Sequence, residues 1–73
     1  MATNEVKSEI TGTVWKILIK PGDAVSEDDI LMILESMKME IPITAPEDGV
    51  VKEIRVLEGG PIAEGQVAVL LDT

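Results

Sequence analysis

The chain carries a copy of itself. Moving residues 12–35 along by 37 positions lays them on residues 49–72 without a gap. Gly12 meets Gly49, Val14 meets Val51, Ile17 meets Ile54, Gly22 meets Gly59, Glu27 meets Glu64 and Leu34 meets Leu71. Val25/Ile62, Ile30/Val67 and Glu35/Asp72 agree in type. A gap-free match that also keeps the apolar positions predicts one structural unit used twice. The repeat halves run from about 5–36 and 40–73, within a single domain covering 1–73.

Each half reads as short strands separated by turn signals. Residues 13–19 are β-branched and aromatic, which suits a strand. Lys20-Pro21-Gly22-Asp23 has Pro at the second and Gly at the third position of a type II turn. A short segment at 24–25, a polar turn at 26–29 and a strand at 30–35 follow. The second half offers 50–57, the turn Glu58-Gly59-Gly60, then 61–63 and 67–72. Residues 5–10 and 41–45 supply one further strand to each half. No helical period occurs, so the expected fold is all-β. It is a small flattened barrel or sandwich whose halves are related by a pseudo-two-fold axis. Under the same shift Lys38 falls on Met1 and Ser36 on Thr73. Lys38 is therefore expected at one end of the body, with both termini at the other.

Composition narrows function by what is missing. A chain of 73 residues is small, and such a chain buries only about 60% of its unfolded surface. It has no Cys, so neither disulfide nor thiolate metal site can brace it. Six basic residues against fourteen acidic leave a net charge of −8, which disfavours nucleic acid and anionic membranes. The N-terminal stretch lacks the pattern of a signal peptide. No apolar run, that of residues 30–34 included, is long enough to span a bilayer. A soluble monomer of the cytoplasm is expected, and the lack of Cys fits a reducing compartment. His, Cys and Tyr are all absent, which removes the commonest general bases and nucleophiles. An enzyme is not expected; a protein that binds or carries something is. Glu27-Asp28-Asp29 reads as a solvated loop without the spacing of a metal site.

Between two apolar runs stands E-S-M-K-M-E, residues 35–40. A two-residue loop Met37-Lys38 pairs Glu35 with Glu40, Leu34 with Ile41, and Met32 with Ile43. That register puts the apolar pairs on one face. It also sets two carboxylates opposite each other, and it lacks the Asn-Gly chemistry of tight hairpin turns. Choices that oppose local stability tend to mark functional sites. The residues alone lead to an exposed lysine on a rigid tip, presented for another protein to act on.

E-S-M-K-M-E closely resembles the attachment motif of the biotinyl/lipoyl domain family, in which a lysine between two methionines is acylated by biotin. A-P-E-D-G-V-V (45–51), K-P-G-D (20–23) and E-G-Q (64–66) resemble the turns of the same family, and the likeness extends over about residues 10–71. The resemblance implies a flattened barrel of two four-stranded antiparallel sheets with quasi-two-fold symmetry. It further implies that Lys38 is biotinylated by a biotin protein ligase, which reads Glu35, Ser36, Met37, Met39 and Glu40. Lys38 would then carry carboxybiotin between the biotin carboxylase and carboxyltransferase components of a carboxylase. A free lysine amine is almost wholly protonated near neutral pH, so self-acylation is not expected. The larger carriers have a protruding thumb in the first half, and residues 19–23 leave no room for one. The chain is therefore most like the short biotin/lipoyl attachment proteins or a carrier domain of a larger carboxylase. Lipoate on Lys38 is the alternative cofactor, and an unmodified β interaction module the alternative role.

Overall fold

The computed structural model describes residues 2–73, as eight strands with no helix among them. These are β1 (Thr3–Lys7), β2 (Gly12–Ile17), β3 (Ala24–Val25), β4 (Ile30–Ser36), β5 (Met39–Thr44), β6 (Gly49–Ile54), β7 (Pro61–Ile62) and β8 (Val67–Asp72). They form two four-stranded sheets in the orders β1-β8-β6-β3 and β5-β4-β2-β7, antiparallel throughout. The expected all-β architecture of two sheets is what the chain adopts.

The internal repeat governs pairing residue by residue. Glu35↔Glu40, Leu34↔Ile41 and Met32↔Ile43 in the β4–β5 ladder become Asp72↔Thr3, Leu71↔Asn4 and Val69↔Val6 in the β8–β1 ladder. Irregularities repeat as well: Leu31 and Ala68 are both skipped in those ladders, and Trp15 and Lys52 are both skipped in β2–β4 and β6–β8. An extra residue in one strand turns its neighbours onto the same face. Leu31 and Met32 are consequently both wholly buried despite being adjacent, as are Ala68 and Val69. With Val14, Leu34, Val51, Ile62 and Leu71 they form one core between the sheets. This is how a chain with one aromatic residue still fills an interior.

Turns follow the same duplication. The Asp23 N–H donates to Lys20 O at 3.1 Å and Gly22 has φ +97°, as a type II turn requires. The second copy starts at Leu57, one residue before the expected turn, with the Gly60 N–H donating to Leu57 O at 2.9 Å.

Several strand ends differ from expectation. β2 and β6 stop at Ile17 and Ile54 rather than running to 19 and 57, although the next N–H of each still donates to its partner strand, Leu18 to Leu31 O at 3.0 Å and Arg55 to Ala68 O at 2.8 Å. β1 begins at Thr3, since reciprocal hydrogen bonds between Ala2 and Thr73, at 3.1 and 2.8 Å, extend its pairing with β8. It ends at Lys7, after which the buried Ser8 hydroxyl donates forward to Ile10 O at 2.6 Å.

The body measures 36 × 18 × 17 Å. β4 starts at Ile30 beside the 26–29 turn, which bonds to Ala45 and Asp48. Gly49 follows directly and lies against Asp72 and Thr73. That end therefore holds Ala2 and Thr73, and β4 runs from it to the hairpin at the other end. The expected match of Lys38 with Met1 falls on a residue outside those described; the adjoining pairs Ser36↔Met39 and Thr73/Ala2 carry the correspondence.

Candidate functional site

The β4–β5 ladder closes down to Ser36↔Met39, so only Met37 and Lys38 are left to reverse the chain. Both take left-handed backbone conformations, φ 52° and 65°. Positive φ at both central residues is the pattern of a type I′ turn, whose twist matches that of the strands it joins. Side chains other than Gly, Asn or Asp resist it, at about 1–2 kcal/mol per residue. Among the described residues the only other non-glycine with positive φ is Asp28, a type that tolerates it. The unfavourable turn inferred from the motif is thus a property of the backbone itself.

Around the turn, side chains face outward. Met37 is 92% exposed and Met39 61%, so neither belongs to the core. Glu35 sits between Glu40 on β5 and Thr13 on β2, and both carboxylates are exposed. Lys38 is exposed too, and among the described residues its amine makes no ion pair or hydrogen bond; the ion pairs are Lys7–Glu5 and Arg55–Glu53. The tip presents a free amine flanked by two thioethers above a like-charged pair.

Ser36 stands apart from the other motif residues. It is half-buried, and its hydroxyl donates to Thr11 O at 3.0 Å. The Thr11 hydroxyl oxygen in turn accepts the Glu64 N–H at 3.1 Å. Beside it Gly12 packs so closely that a Cβ there would lie 2.5 Å from Glu35 O and 3.2 Å from the Ser36 Cβ. Thr11 and Gly12 brace the hairpin stem, and the motif alone did not point to them. The Gly12/Gly49 match in the repeat was the available signal: Gly49 has the same close approach, 2.6 Å to Asp72 O.

The acidic run is occupied with turn-making. An Asp29 carboxylate oxygen accepts the Ser26 N–H at 2.9 Å, and Asp48 accepts the Glu27 N–H at 2.7 Å. Among the described residues no group of three or more acidic side chains is placed to hold a metal ion.

The profile of the biotin/lipoyl family, described as "Biotin-requiring enzyme", matches residues 2–71. The chain belongs to the biotin/lipoyl attachment family. Within it, the Bacillus subtilis "Biotin/lipoyl attachment protein" is 45% identical over 62 residues, covering 85% of this chain and 85% of that protein. The Streptococcus mutans "Biotin carboxyl carrier protein" is 44% identical over 64 residues, 88% of this chain and 49% of that one. Among solved structures, the Kluyveromyces lactis urea carboxylase contains a domain that superimposes with a TM-score of 0.92 at 29% identity. That match covers 99% of this chain but 6% of the carboxylase. The family's fold thus occurs both in proteins of this length and inside enzymes many times longer.

Proposed function

We propose that Lys38 is the attachment lysine of a biotin carrier domain, and that the chain serves a biotin-dependent carboxylase as a carrier rather than as a catalyst. The observation that carries this reading is the lysine's placement. It has a free, exposed amine at the crest of a two-residue turn, on a strand pair braced at its stem. The residues present suit a covalent group at that point: Lys38 is exposed, and among the described residues its nitrogen has no ion-pair or hydrogen-bond partner.

A biotin protein ligase is the partner that the site calls for. The ligase supplies the activated carboxyl group and takes the amine's proton; an amide bond forms at Nζ as the leaving group departs. Met37 and Met39 offer adaptable apolar contacts to the ligase, and Glu35 and Glu40 offer charge to basic groups on it. Ser36 holds the stem while its neighbours are read. When bound, biotin supplies reversible uptake of a carboxyl group. The protein's contribution is reach and effective concentration for a tethered cofactor between two partner sites.

Among the relatives named above, the one whose name commits to a single cofactor commits to biotin. Nothing in the site favours lipoate. No helix among the described residues is long and apolar enough to cross a membrane, and action in the cytoplasm belongs to this proposal.

Intact mass after co-expression with a biotin ligase tests the assignment. The chain gains one biotinyl group, and Lys38→Arg gains none. A lipoyl adduct with a lipoate ligase and none with biotin ligase would replace biotin with lipoate. An adduct that persists in Lys38→Arg, or no adduct with either ligase, overturns the site.

A further inference from the structure

A groove of about 180 Å³ is lined by residues of β1, β5 and the segment after β1, the two strands being edge strands of different sheets. Its apolar wall includes Ile10, Leu34, Ile41 and Pro42, and its rim includes Lys7 and Glu9. The duplicated fold provides an internal control for that wall. Under the 37-residue shift Ile10 corresponds to Glu47, Ile41 to Asn4 and Pro42 to Glu5. Both halves build the same ladders, so the fold itself does not require apolar residues at these positions. Pro42 is exposed and Ile41 half-buried, so they add little to the core. Apolar surface has been placed at one of two equivalent places, and it is the one on the Lys38 hairpin.

The scale fits the modified side chain. Ile41 lies three residues from Lys38 along β5, about 10 Å at the rise of a strand. The arm from the lysine Cα to the ring of an attached biotin contains about eleven bonds and extends about 14 Å. An apolar cavity of about 150 Å³ can hold a benzene-sized ligand, so the groove is large enough to take one face of a small ring. Edge strands also leave backbone N–H and C=O groups unpaired.

We propose that this groove is a resting site for the biotin ring carried on Lys38. Ile10, Ile41 and Pro42 meet its hydrocarbon face, and Lys7, Glu9 and the free strand edges supply polar partners for its ureido group. The inference rests on the assignment of Lys38 as the attachment residue. A resting site of this kind keeps the ring out of water between visits to partner enzymes and limits how often it is offered to them.

The test compares modified and unmodified chain by Ile methyl NMR and by the rate of streptavidin capture. Attachment is expected to shift the Ile10 and Ile41 methyl signals. A ring resting two-thirds of the time is captured about threefold more slowly than a free one. Ile41→Asn and Pro42→Glu install the residue types of the other half; the first is expected to abolish the Ile10 shift, the second both shifts, and each to restore the faster rate. Pro42 is exposed, so its variant keeps the test open if Ile41→Asn unfolds. Biotinylation with unshifted methyl signals and equal capture rates overturns the resting site and leaves Lys38 assigned. Absence of any mass gain overturns the attachment reading and this one together.

Discussion

At the hairpin end, Ser36 pairs with Met39, and two residues of positive φ carry the chain from β4 into β5. At the other end, the equivalent strands β8 and β1 finish with Ala2 bonded to Thr73, and no turn joins them. The ladders behind these two ends agree pair for pair, including the skipped residues. Their chemistry does not agree. The equivalents of Glu35 and Glu40 are Asp72 and Thr3, where the Thr3 hydroxyl donates to the Asp72 carboxylate at 3.4 Å. One end has lost its like-charged pair and its strained turn while keeping the same backbone. Neither the like-charged pair nor the left-handed turn is therefore a necessity of the paired strands behind it.

The largest effects should come from the two glycines that let β2 and β6 approach the strand ends. Gly12→Ala and Gly49→Ala each force a Cβ onto a backbone oxygen, at 2.5 and 2.6 Å. A loss of about 2–3 kcal/mol is expected for each by thermal or urea unfolding. Only Gly12→Ala should also slow ligase modification at a temperature where both variants remain folded. Equal modification rates would break the distinction between the ends.

Next in size is replacement of Met37-Lys38 by Asn-Gly, the pair suited to positive φ at both positions. A gain of about 1–2 kcal/mol is expected, with complete loss of modification. An unchanged or lower stability would mean that the tip is not strained. Ser36→Ala removes the hydroxyl bond to Thr11 and should cost about 1 kcal/mol, while Ser36→Thr, the residue type found at position 73, should recover most of it. Smallest is Glu40→Thr, which gives the tip the acid–threonine pair of the other end. It should stabilise by a few tenths of a kcal/mol at low salt. That gain should shrink as salt is added, since screening weakens the repulsion it relieves.

Much of this arrangement was legible before any coordinates. The repeat predicted the two related halves, and the apolar alternation around Leu34 and Ile41 predicted the hairpin register from Met32↔Ile43 to Glu35↔Glu40. The glutamate pair followed from the register. What stayed hidden was set by pairing at a distance. Adjacent burial of Leu31 and Met32 depends on a skipped residue in the ladder, which no alternation pattern reveals. The left-handed conformations at Met37 and Lys38 are imposed by strands closing to Ser36↔Met39, against the preference of both residues. Thr11 and Ser36 are distant in sequence, and their bond exists only because β2 lies beside β4. The groove was equally out of sight, because β1 and β5 belong to different sheets and share no hydrogen-bonded register.

The bond between Ala2 and Thr73 has a mechanical consequence. A longer polypeptide entering at one of these residues and leaving at the other would do so at almost a single point. The body could be spliced into a host chain like a cassette, swinging about one pivot without separating its own strands. With a long axis of 36 Å, small rotations at that pivot would sweep Lys38 through a wide arc. The rigid barrel would then act as a lever, adding its own length to the travel of the flexible side chain at its far end.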